Sequence, residues 1–137
     1  MSINYFAVLV AAIAEFIIGA IWYMPIFGRL WGKIHGFNAL DKVDRKKAQA
    51  AMAPMLVLQF VVTILTTLVL AKLIIMNPNY SVYTLAWFAW IGFVVPTQIA
   101  SIIFGGTKSK WILKKALIMA GGSILCLVAA VAILHAM

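Results

Sequence analysis

Apolar residues run almost unbroken over four stretches of the chain, at about 4–27, 54–76, 80–104 and 112–135. Each is long enough, at a helical rise of about 1.5 Å per residue, to cross a hydrocarbon core about 30 Å thick. None carries the repeated charged face of a soluble amphipathic helix. The pattern predicts an all-α membrane protein: four transmembrane helices in a single integral membrane domain. Asn77-Pro78-Asn79 leaves room only for a short outer hairpin between the second and third helices. The one sizeable polar segment is 28–52. There Asn38 followed by Asp41 resembles a capping-box start, and Leu40, Val43, Lys47 and Ala51 fall on one face. This predicts a short cytoplasmic helix that lies on the membrane or feeds into helix two. Pro25 with Gly28 ends or bends helix one. Pro54 stands near the start of helix two, where proline is tolerated. Pro96 sits inside helix three, frees the carbonyl of Gly92 and predicts a kink.

Polar residues inside these runs are few, so each one counts. Glu15 is the only acidic side chain in any of them. A carboxyl group at mid-bilayer must be neutralised, paired or wetted. Ala7, Ala11, Glu15 and Gly19 form a stripe at spacing four, so the Glu15 face is expected to pack against protein. Counting residues from the helix ends places Thr66, Thr67, Gly92, Gly122 and Ser123 at the depth of Glu15, and Gln59 with Gln98 in a second layer nearer the cytoplasm. No basic residue matches the depth of Glu15, so burial favours its neutral form, hydrogen-bonded to Thr66, Thr67 or Ser123. Helix four carries Ala116, Ala120, Gly121, Gly122, Ser123 and Ala130, a surface suited to close helix contact.

Composition agrees: 66% of the 137 residues are hydrophobic and 10% charged. The net charge of +8 does not point to nucleic acid, because the basic residues flank apolar runs. Arg29, Lys33, Lys42, Arg45, Lys46 and Lys47 lie between runs one and two, and Lys108, Lys110, Lys114 and Lys115 between runs three and four. The positive-inside rule makes both basic loops cytoplasmic and both termini external. The same clusters suit anionic lipid headgroups. Trp22, Tyr23 and Trp31 read as an interfacial aromatic belt, and Lys72 as a residue that snorkels to the opposite surface.

Catalytic signatures are missing from the sequence. Gly106-Thr107-Lys108-Ser109 lacks the frame of a phosphate-binding loop. His35 and His135 are expected on opposite sides of the membrane, so no metal site is expected, and no cofactor. The lone Cys126 reads as a packing residue. The chain is not expected to be an enzyme.

Two resemblances bear on function. Gly19-Ala20-Ile21-Trp22-Tyr23-Met24-Pro25 with Phe27-Gly28 and Trp31, then Trp90-Ile91-Gly92-Phe93 through Thr97-Gln98, then Phe104-Gly105-Gly106, resemble a bacterial family catalogued as domain of unknown function 1761. That resemblance spans nearly the whole chain and implies four inner-membrane helices, without an activity. Ala14-Glu15 with Ile17, Ile18 and Gly19 is similar to helix one of small multidrug resistance transporters, which carries one essential glutamate. The longer first loop, the strong charge bias and the other helices depart from that pattern. The reading is a homo-oligomeric protein that moves a small cationic or neutral solute with Glu15 as its titrating group. The competing reading is a non-transporting scaffold or accessory subunit in which Glu15 is a buried hydrogen-bonding residue.

Overall fold

The computed structural model describes residues 2–137. It contains α1 (Tyr5–Ile21), α2 (Gly28–Ile34), α3 (Lys42–Met76), α4 (Val82–Ala89), α5 (Val95–Phe104) and α6 (Ile112–Ala136). The described residues include no strand. Four helical spans are long and apolar enough to cross a membrane: Tyr5–Ile26, Lys42–Met76, Val82–Phe104 and Ser109–Ala136. This is the multi-pass architecture that the hydropathy pattern predicts.

Side-chain caps start α1, α3 and α4. The Asn4 carboxamide accepts from the Ala7 N–H, the Asp41 carboxylate from Asp44 and the Ser81 hydroxyl from Tyr83. Each satisfies an amide with no partner inside its helix. Asn38, read as part of a capping box, does other work. Its side-chain nitrogen donates to the Arg29 carbonyl at 2.9 Å, and its own carbonyl accepts from Arg45 Nη2 at 2.8 Å. It thus clasps α2 to the foot of α3. Gly32 lies against it, and a Cβ there would fall 2.6 Å from Asn38 Oδ1.

Span two differs from its expected bounds. The helix of segment 28–52 does feed into it, because α3 is one helix of 35 residues. Pro54 therefore lies well inside α3. The helix continues because proline removes a single amide donor, and Ala50, whose carbonyl loses its partner, is exposed.

Helices one and three are not kinked simply. Each passes through a π-turn, at Trp22–Ile26 and Trp90–Val94. The Phe27 N–H donates to the Trp22 carbonyl, five residues back, and the Val95 N–H to that of Trp90. Pro25 lies inside the first π-turn and Pro96 follows the second. The wider turn takes up the register that a missing proline N–H disturbs.

The spans alternate in direction. The loops around residues 33–36 and 105–108 line one cavity and so share an end. At the other end Asn4 Nδ2 donates to the Met137 carbonyl, and His135 lies beside the 78–83 turn. Both termini and the hairpin therefore face away from the basic loops. Near the termini all four spans meet in a core of Ala11, Leu70, Val82, Ala86, Leu127, Ala130 and Val131. Towards the basic end α3 leaves the bundle: from Lys46 to Val62 only Ala48 and Phe60 are even half-buried. Phe60 meets Phe16 edge-to-face at 5.6 Å, a geometry that aromatic rings favour.

Candidate functional site: the Glu15 interface

Glu15 lies where α1 packs against α3 and α6. It is 6% exposed, and Ala11 and Ala7, one and two turns away on the same stripe, are buried. Small residues let the helix backbones approach closely, which turns the carboxyl into protein as the stripe predicts. Gly19 ends the stripe differently: a Cβ there would meet nothing within 4 Å. The space beside α1 thus opens one turn below Glu15, on the side where α3 departs.

One hydroxyl receives the carboxyl. Thr67, fully buried, places its Oγ 2.5 Å from Glu15 Oε2 and 2.7 Å from the Thr63 carbonyl. A threonine hydroxyl has a single proton, so it cannot donate to both. If Glu15 is neutral, its O–H donates to Thr67, which donates to Thr63, and the Thr67 hydroxyl serves both neighbours. If Glu15 is ionised, Thr67 donates to it and the Thr63 carbonyl loses that bond. On the α6 side, Cys126 Sγ lies 3.5 Å from the Glu15 backbone carbonyl.

The other residues placed near this depth separate from it. Thr66 is exposed on the far side of α3. It precedes Thr67 by about 100° around the helix, so only one of the pair can face α1. Ser123 does not reach Glu15. It accepts from Trp90 Nε1 at 3.1 Å and lies 3.4 Å from Gln98 Oε1. Gln98 Nε2 in turn donates to the Met119 carbonyl at 3.3 Å. Gln59 is exposed and bonded to Thr63 of its own helix, so it forms no layer with Gln98. Gly92 is exposed as well. The expected midplane layer is therefore two separate polar sites, Glu15 with Thr67 between α1 and α3, and Ser123 with Trp90 and Gln98 between α6 and the third span.

Trp22 is the residue whose role residue-by-residue reading missed. Its indole lies across Gly121 and Gly122, where a Cβ would come within 2.9 Å and 2.8 Å of the ring. Its Nε1 donates to the Ile118 carbonyl at 2.8 Å. Trp90 does the same on the other flank, donating to the Ala120 carbonyl at 3.0 Å. Two π-turns thus begin at two tryptophans that both grip α6. The adjacent pair Gly121-Gly122 was the available signal, since a flat notch of that size accommodates an aromatic ring. Ring contacts continue from Trp22 along the helix end: Trp22 lies against Phe27, Tyr23 against Trp31 and Trp31 against His35, with centroids 4.4–4.7 Å apart. Among the described residues there is no cluster of three metal-ligating side chains.

The family model described as protein of unknown function (DUF1761) matches residues 6–135. The chain belongs to that family, as the tryptophan-tyrosine-proline segment suggests. No curated protein and no solved structure matches it.

Proposed function

We propose that this DUF1761 protein is a small permeation or transport protein of the bacterial inner membrane, with Glu15 as its exchangeable carboxyl. The observation that carries this reading is the single Thr67 proton set between two acceptors, Glu15 and Thr63. It allows two hydrogen-bonded arrangements that differ by one proton on Glu15. The pair also sits where α3 parts from the bundle and Gly19 faces open space, so a small movement of α3 admits water or solute. The solute is small and cationic or neutral, and no chemical step is required of the protein. Copies assemble through the apolar faces that the basic half of α3 leaves uncovered, with both termini outside.

Reconstituted protein tests this by proton or monovalent-cation flux into vesicles holding a pH-sensitive dye. Flux that Glu15→Gln abolishes, in a variant that stays folded, supports the reading. Flux that survives the substitution removes Glu15 from the pathway.

A second reading has its own observation. Glu15 is nearly sealed, on a stripe of alanines that are themselves buried, which suits a scaffold in which the carboxyl is helix glue. A hydrophobic carbodiimide separates the two readings. Labelling at Glu15 that solutes protect supports transport. A folded protein that never labels supports the scaffold.

A further inference from the structure

We propose that the cavity between the two basic loops is a binding site for a phosphate-bearing anion. The cavity is an open cleft of about 330 Å³, lined by Lys33 and His35 on the side of the first loop and by Lys108, Trp111 and Lys115 on the side of the second. That volume lies at the lower edge of small-molecule sites, about 300–1,000 Å³. None of its lining residues is acidic. The site exists only because the fold brings two loops, far apart in sequence, to one end.

Further cations crowd the same place. Lys33, Lys110 and Lys114 stand 5.3–5.7 Å from the Trp111 ring, and Lys115 stands 5.6 Å from that of Trp31. The aromatic faces hold these ammonium groups together, yet the lysines repel one another. An anion in the cavity relieves that repulsion, and its phosphate oxygens can accept charge-assisted hydrogen bonds from the lining lysines Lys33, Lys108 and Lys115. Lys115 is half-buried, so its charge is less screened than that of a surface lysine. His35 Nδ1 lies 2.9 Å from the Trp31 carbonyl. A carbonyl only accepts, so Nδ1 carries a proton, and Nε2, an acceptor in the neutral ring, can pair only with a protonated phosphate oxygen. Trp31 and Trp111 place the cavity at headgroup depth. A phospholipid headgroup and a soluble phosphate ester share the required chemistry. The inference is independent of any role for Glu15.

The test uses full-length protein in detergent and one lipid molecule at a time, read by native mass spectrometry. The probes are phosphatidylglycerol, phosphatidylcholine, glycerol 3-phosphate and inorganic phosphate. Phosphatidylglycerol is expected to be retained over phosphatidylcholine. The triple variant K33Q/K108Q/K115Q is expected to lose at least about tenfold in affinity, the loss of one charged hydrogen bond. The control K42Q/K46Q/K47Q is expected to change it less than about twofold. Lys108 is exposed in its loop, so Lys108→Gln alone keeps a folded readout if the triple variant fails. Displacement of the lipid by glycerol 3-phosphate or inorganic phosphate identifies a soluble phosphate as the ligand. Retention that neither displaces identifies a headgroup. Equal retention of both lipids with no binding of either soluble phosphate, or equal losses in the two triple variants, overturns the proposal.

Discussion

Thr67→Val isolates the Glu15 contact. Valine keeps the shape of threonine, so at a fully buried position it removes a hydroxyl without opening a cavity. Two bonds go with it, to Glu15 and to Thr63. Hydrogen bonds between membrane helices average about 0.6 kcal/mol and reach about 1.7. A buried polar group left unpaired costs about 1–3 kcal/mol. If Glu15 is neutral in the fold, the Thr67→Val loss is therefore about 1–2 kcal/mol. If Glu15 is ionised, the substitution strands a buried charge and the loss rises to about 3–5 kcal/mol. Reversible unfolding by sodium dodecyl sulfate in mixed micelles, followed by tryptophan fluorescence, measures it. Glu15→Gln is the companion variant. Its amide donates to Thr67 Oγ while Thr67 still donates to Thr63, so stability stays within about 0.5 kcal/mol of the parent. A Thr67→Val loss under about 0.3 kcal/mol refutes the coupling. A loss above about 3 kcal/mol refutes the neutral acid.

Adjacent sites give sharper contrasts. Thr66→Val, on the exposed side of α3, is expected to change stability by less than about 0.5 kcal/mol in the same assay. Gly122→Ala places a methyl group 2.8 Å from the Trp22 ring; it is expected to cost about 1–3 kcal/mol and to red-shift tryptophan emission as the indole leaves its notch. Ser123→Ala removes an acceptor from Trp90 but leaves the Ala120 carbonyl in place, so a loss of about 0.5–1.5 kcal/mol is expected. In a Cys126→Ala background, Asn79→Cys is expected to react with an impermeant thiol reagent from outside intact cells and Lys108→Cys is not; the reverse labelling overturns the positive-inside orientation.

Span number and relative direction were readable because they rest on coarse quantities, run length and the placement of basic residues. The buried face of α1 was readable as well, because Ala7, Ala11 and Glu15 contrast with Leu9 and Ile13 around them, which are exposed. α3 offered no such contrast. Its membrane-crossing part is apolar nearly all round, so depth alone could not separate Thr66 from Thr67, although they point about 100° apart. Ser123 and Gln98 were placed by depth too, but azimuth turns them towards each other and Trp90 rather than towards Glu15. The prolines signalled a disturbed backbone, but not that a π-turn would absorb it. Trp22 was read by where it sits along the helix rather than by the notch it fills.

The length of α3 has a mechanical consequence. At about 1.5 Å per residue its 35 residues make a rod about 52 Å long, against a hydrocarbon core of about 30 Å. It is packed near one end, by Thr67 and the core above; along the other it is tied by Phe60 on Phe16 and by the Asn38–Arg45 clasp to α2. Lys42 lies about 37 Å from Thr67 along this rod. A tilt of about 5° at that fulcrum swings the far tip by about 3 Å, while Thr67 itself scarcely moves. A small change in packing at the fulcrum is thus amplified by lever length alone into a displacement of several ångströms at the far tip.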